Sequence, residues 1–337
     1  MGMEDAEDLM HSHEVTRRSF LRQASWAGAA LFFAPRAFAR PIQQPGIEPN
    51  TAAPADRLQQ FRTAGATTPI QVTKLRDTLF LLQGVGGNMV AQTGPDGKLL
   101  IDSSAATAAS RLKDTLGTLG PHPMKLLVNT HWHFDHTDGN AALHDNSGAF
   151  IMAHENTRNR MATAQEIAFF HLKLPPSPTS ALPQETFIDK EKLFINNDEI
   201  DLVYMPDAHT DTDIYIHFVG GNVLHCGDVF FNGFYPFIDA STGGTVNGMI
   251  RGADACLAVA DDKTKVVPGH GPLGDKDALQ KYRDMLATVA TSIEKLKSGG
   301  QSLDQVIAAK PTAGFDADWG KGALKPEQFV ELVYTTL

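Results

Sequence analysis

His131-Trp132-His133-Phe134-Asp135-His136 places four potential metal ligands in six consecutive positions. The cluster follows the apolar run Lys125–Asn129, which reads as a short buried strand, with Thr130 between. The ligands therefore sit on a loop at a strand end. In an extended segment, side chains two residues apart point the same way. His131 and His133 can grip one ion together, while Asp135 and His136, further round the turn, can face a second. Imidazole and carboxylate donors suit zinc, with iron or manganese as the other candidates.

Further candidates lie outward from this cluster, each next to an expected strand. Asp102 ends Lys98–Ile101. His209 sits in Pro206-Asp207-Ala208-His209-Thr210-Asp211, Asp228 in His225-Cys226-Gly227-Asp228-Val229-Phe230, and His270 in Val267-Pro268-Gly269-His270-Gly271-Pro272. Glycine or proline lets the chain turn sharply at these strand ends. Side chains projecting from the rim of a sheet can then converge on one pocket. The chain has 13 histidines; those outside this set, His11, His13, His122, His144, His154, His171, His217 and His225, are read as surface or core residues.

The ordered set Asp102, His131–His136, His209, Asp228 and His270 resembles the metallo-β-lactamase superfamily, over residues 70–290. The resemblance implies a four-layer αβ/βα sandwich with the site at one edge of two facing sheets. It implies His131, His133 and His209 on a first metal, Asp135, His136 and His270 on a second, and Asp228 bridging the two. Asp102 would lie beneath the cluster and orient it. Two zinc ions are the implied cofactors. Such a pair can hold a bridging hydroxide and polarise a scissile carbonyl or phosphoryl oxygen, which points to hydrolysis of a small-molecule substrate. Asp135 is the expected catalytic group, holding the second metal and orienting the nucleophile.

The rest of the chain reads as α/β, in the α+β sense, with hairpins early and in the middle rather than strict βαβ alternation. Pro95-Asp96-Gly97 marks a hairpin between Met89–Gln92 and Lys98–Ile101. Helices are expected over Ala105–Leu119, Asn247–Val259 and Asp275–Lys297. Residues 1–39 read as a signal peptide, 40–66 as a linker or N-terminal arm, 67–297 as the main domain and 298–337 as a helical extension. Residues 171–187, which hold four prolines, read as a long loop and a candidate lid. The formal charge of -10 argues against a nucleic-acid partner, and no apolar run reaches membrane-span length. Two cysteines, Cys226 and Cys256, are too few for a disulfide scaffold and read as buried thiols.

Departures from named relatives narrow the substrate. The lactamases proper resemble this chain but carry Cys or Ser where it has Asp228, although Cys226 lies two residues away. Glyoxalase II-type thioesterases have a Gly-x-Gly-Arg-like segment where this chain reads Phe230-Phe231-Asn232-Gly233-Phe234-Tyr235. An ester, lactone, thioester or amide-type hydrolase survives, with class B β-lactamase-like activity and a non-catalytic metal-binding accessory protein as alternatives. Asn232, Tyr235 and Arg251 are candidate substrate-polarising groups. Most of the aromatic run Phe230, Phe231, Phe234, Tyr235 and Phe237 reads as core packing, with one or two of them candidates for a pocket wall.

The N-terminus carries an address. Arg17-Arg18 precedes Phe20 and Leu21, an apolar stretch runs from Ala24 to Ala34, and Ala37-Phe38-Ala39 is a small-residue cleavage pattern. The paired arginines resemble a twin-arginine signal, which implies the twin-arginine export machinery as a partner and the periplasm as destination. Replacing both Arg17 and Arg18 by Lys is expected to strand the protein in the cytoplasm. Cell fractionation that finds it exported normally would overturn the assignment.

Overall fold

Short apolar strands, the central ones buried on both faces, sort the chain into two facing sheets. The computed structural model describes residues 54–337, so the expected signal segment 1–39 and residues 40–53 of the expected arm lie outside the described residues. The first sheet begins with an antiparallel meander of β1 (Gln71–Lys74), β2 (Leu79–Gln83), β3 (Met89–Gln92) and β4 (Lys98–Ile101). It continues in parallel through β5 (Met124–Val128) and β6 (Phe150–His154). A small antiparallel ribbon, β7 (Gln165–Ile167) and β8 (Leu172–Leu174), interrupts it before β9 (Glu185–Phe187) pairs parallel to β6. The second sheet runs β10 (Lys190–Ile195), β11 (Asp198–Tyr204), β12 (Ile214–Phe218), β13 (Val223–His225) and β14 (Lys265–Val267). It is antiparallel except for its last pair.

The period-two pattern assigns the faces. Val90, Leu99 and Ile101 point inward from the first sheet, and Ile214, Ile216, Phe218, Val223 and Val267 inward from the second, forming one buried core between them. Met89, Ala91 and Leu100 point the other way, under Leu112 and Leu116 of helix α2, reckoned after α1 (Pro54–Thr67) and spanning Ala109–Thr118. Two short helices, α3 (Phe134–Thr137) and α4 (Asn140–Ser147), follow β5, and Leu143 of α4 joins that outer core. Helix α5 (Glu155–Met161) follows β6. Leu224 and Val266 turn outward from the second sheet toward α6 (Val246–Val259) and α7 (Lys276–Ser298). Residues 298–337 add α8 (Leu303–Ala308), α9 (Asp316–Trp319) and α10 (Pro326–Thr336) to the same outer layer, burying Val306, Phe329 and Val333. Helix, sheet, sheet and helix are the four layers.

Two expectations change. The described part of the expected arm is the helix α1, which buries Arg57 and Phe61. Its sequence is only weakly amphipathic, so contacts with the rest of the domain rather than periodicity hold it: Arg62 grips Asp138 at 2.5 and 3.1 Å, and Arg111 donates to the Ala66 carbonyl at 2.6 Å. Residues 171–187 are not one loop. They contain β8, a 3-10 turn over Thr179–Ala181 and the edge strand β9, with Leu172, Ala181 and Phe187 buried. Prolines flank these elements without entering them, which leaves the ladder donors intact. Among the described residues no helix is long and apolar enough to cross a membrane.

Phe218 is fully buried between the sheets. Phe218→Ala is expected to cost about 3–5 kcal/mol of stability, read as a lowered denaturant midpoint with an unchanged slope.

Candidate metal centre

The segments that end β4, β5, β11, β13 and β14 meet at one rim of the sandwich. They carry Asp102, His131–His136, His209, Asp228 and His270 respectively. The structure gathers the candidate ligands into two groups whose donor atoms lie within 4.8 Å of one another: His131, His133, His209 and Asp228, then Asp135, His136 and His270. Asp228 reaches both. Its Oδ1 lies 3.1 Å from His136 Nε2, and its Oδ2 lies 3.4 Å from His270 Nε2, 3.5 Å from His209 Nε2 and 3.9 Å from His131 Nε2. Asp135 Oδ2 is 3.1 Å from His270 Nε2 and 3.6 Å from His136 Nε2. Space here is tight: a Cβ on Gly269 would stand 1.9 Å from Asp228 Oδ1, and one on Gly87 2.1 Å from the His136 ring.

The outer nitrogens of four imidazoles are already committed. His136 Nδ1 donates to Asp102 Oδ2 at 2.7 Å. His131 Nδ1 donates to Thr130 Oγ1 at 3.0 Å, and the Thr130 hydroxyl donates onward to Asp102 Oδ2 at 2.8 Å. His209 Nδ1 donates to the Phe237 carbonyl at 2.8 Å, and His133 Nε2 to Asp239 Oδ2 at 3.0 Å. In its neutral form each ring therefore turns a lone pair inward. His133 Nδ1 and His209 Nε2 face each other at 2.9 Å, and His131 Nε2 is buried with no hydrogen-bond partner. Opposed lone pairs in a buried site are unfavourable unless a cation lies among them. The donor set thus fits a dinuclear metal site, with outer hydrogen bonds orienting its imidazoles.

Electrostatics agrees. Burial holds His131 well below its ordinary imidazolium value, and the His136 charge adds to this. Burial likewise brings His209 down to about 4. Burial opposes the charge on Asp228, yet His270, His136 and His131 around it hold it well below the usual carboxylate range. Asp135, against the same burial, is held at about 2 by His136 and His270. Against burial, Asp228, Asp135 and Asp102 in turn raise His136 well above its ordinary value, and Asp228 and Asp135 bring His270 up to about 9, so these two rings hold protons beside ionised carboxylates where a metal would displace them.

The other candidates separate. Tyr235 is buried against Phe329, ring centroids 4.4 Å apart, and donates to Asp316 Oδ1 at 2.8 Å, so it belongs to the outer core and not to a substrate pocket. Arg251 is exposed on α6, whose buried face is Val246, Met249, Gly252, Ala253 and Cys256, and it makes no hydrogen bond or ion pair among the described residues. Asn232 lies beside the site through its backbone, which donates to the His270 carbonyl at 3.0 Å. Its side chain turns away and donates to the Pro272 carbonyl at 2.9 Å. Cys226 and Cys256 are free and buried in the outer core, so neither joins the donor set. Of the aromatic run, Phe231 stacks on His270 at 5.4 Å, and Phe237 stacks on His133 at 6.1 Å and meets His209 edge-on at 5.7 Å. Trp132 and Phe134 pack inward.

Sequence reasoning missed Asp239. It arrives from a turn after the aromatic run and also accepts from Thr242 Oγ1 at 2.7 Å. Burial opposes its charge, but the His133 hydrogen bond holds it at about 2.

Residues 82–283 match the family model described as Metallo-beta-lactamase superfamily. A probable metallo-hydrolase of Methanocaldococcus jannaschii is 24% identical over 185 residues, covering 53% of this chain and 85% of that protein. Among solved structures, a metallo-beta-lactamase from Pontibacter korlensis superposes with a TM-score of 0.54 at 18% identity, over 65% of this chain and 99% of that one. The stereoselective inverting sec-alkylsulfatase Pisa1 from Pseudomonas sp. gives 0.59 at 17% identity, over 89% of this chain and 58% of that one. At these identities the structural likeness is one of fold.

Asp239→Ala should free the His133 ring to rotate and weaken metal binding roughly 10- to 100-fold, measured by competition with a chromophoric chelator. Wild-type affinity in that variant would show that His133 needs no such support.

Proposed function

We propose that this chain, which belongs to the metallo-beta-lactamase superfamily, is an exported binuclear zinc hydrolase acting on a small ester, lactone, thioester or amide-type substrate. The observation that carries the reading is the set of inward lone pairs on His131, His133, His136 and His209, fixed by outer acceptors and converging with the carboxylates of Asp135 and Asp228. In the proposal His131, His133 and His209 hold one ion, Asp135, His136 and His270 the other, and Asp228 lies between them. Two bound zinc ions would supply Lewis acidity and lower the pKa of water toward neutrality.

The chain's own groups do the rest. Asp135 and His270 keep 13% and 16% of their side chains exposed while the other donors are sealed, so they mark the mouth where substrate enters. Asp135 orients the attacking water through its carboxylate. Phe231 and Phe237 flank the mouth and exclude bulk water from the reacting carbonyl. Asp102 and Asp239 hold the imidazoles against rotation. The Arg17-Arg18 segment supports export to the periplasm by the twin-arginine machinery.

β-Lactam hydrolysis is the alternative reading. A carboxylate from Asp228 stands in the donor set and Cys226 is turned into the outer core, which favours the broader esterase class. The test is turnover of a chromogenic cephalosporin, a lactone and a thioester by zinc-loaded protein, with and without chelator. His133→Ala is expected to lose bound metal and turnover together. Full turnover in that variant, or in chelated wild type, would refute the mechanism.

A further inference from the structure

Outside the imidazole set, a second group of buried polar atoms lacks partners. Arg57 on α1 is 7% exposed, and its Nε and Nη1 are buried without a hydrogen-bond acceptor. No described carboxylate forms an ion pair with it; its guanidinium lies over the face of Phe170, 5.2 Å from the ring centre. Trp132 belongs to the same packed cluster as Phe170, and its indole Nε1 is also buried without an acceptor. A guanidinium and an indole N–H can only donate. Withdrawing a cation from water without a counter-charge is costly, and an anion is the ligand that would offset that cost.

The position of Arg57 relative to the metal centre is defined by rings. Phe170 packs on Phe237 at 4.7 Å, and Phe237 covers His133 and His209. Phe169 meets Phe237 at 5.8 Å. An apolar strip therefore runs from the guanidinium to the first group of imidazoles. The helix that presents Arg57 is locked to the ligand-bearing segment. Its Phe61 meets Phe134 edge-on at 5.0 Å, and its Arg62 grips Asp138, whose Oδ2 also accepts from Ala106 N at 2.8 Å.

We propose that Arg57 is a specificity-determining residue that binds the oxyanion head group of the substrate, a carboxylate or sulfate, while Phe169, Phe170 and Phe237 hold the apolar body leading to the metal centre. Calling the ligand a substrate rests on the hydrolase reading; the anion site itself does not. The Arg fork matches the two oxygens of such a head group, which a neutral chain end cannot supply.

The test is calorimetric titration of the purified full-length protein and of Arg57→Gln with hexanoate, hexyl sulfate and hexan-1-ol. The variant is expected to lose about tenfold or more in affinity for one or both anions, with hexan-1-ol binding and metal content unchanged. The difference between the two anions identifies the preferred head group. Anion affinities equal in both proteins, no anion binding by the wild type, or equal loss for hexan-1-ol would overturn the proposal. Should Arg57→Gln melt early, Arg57→Lys, which keeps the charge but not the fork, reads the same comparison. Ester turnover measured alongside separates the two ideas: selective anion loss without any turnover would sink the hydrolase reading and leave the anion site standing.

Discussion

The buried carboxylate of Asp102 is the contact on which the metal centre depends. It accepts from Thr130 N and Thr130 Oγ1, each at 2.8 Å, and from His136 Nδ1 at 2.7 Å. One side chain thereby joins the ends of β4 and β5, sets the tautomer of His136 and, through Thr130, sets that of His131. Asp102 adopts a left-handed backbone, with φ at 62°, a conformation disfavoured for a residue bearing a side chain. The three hydrogen bonds offset that local cost. They place one ligand of each group, His131 and His136, before any metal arrives.

The two remaining anchors repeat the device with different parts. Asp239 serves His133 and the Phe237 carbonyl serves His209. The end of β4 and the turn Phe237–Asp239 therefore do one job, which is to occupy the outer nitrogen of an imidazole. What is left at the centre is a set of lone pairs and carboxylates whose mutual repulsion and attraction suit cations. The fold supplies the rim; these acceptors supply the chemistry.

Much of this was legible in the sequence because density carries information. Four donors in six residues after an apolar run leave few bland explanations, and His209, Asp228 and His270 each sit beside the glycine or proline of a strand end. Asp239 was not legible, because nothing in the sequence around it marks a partner for His133, more than a hundred positions earlier. Tyr235 misled for the opposite reason: it stands among aromatic residues near Asp228, but the turn sends Phe231 and Phe237 toward the imidazoles and Tyr235 toward Phe329. Helix α1 hid behind its Pro- and Ala-containing surroundings, since the Arg62–Asp138 pair that holds it joins residues far apart in sequence.

The division of ligands between the two sheets fixes an order of events. His131 to His136 belong to the first sheet, and His209, Asp228 and His270 to the second. As the chain is synthesised, the early cluster exists for well over a hundred residues of elongation before His270 emerges. Through that interval it offers an ion only part of a coordination shell. Full-affinity loading must wait until the second sheet has closed over the first, so metal uptake reports completion of the whole sandwich and not of either half.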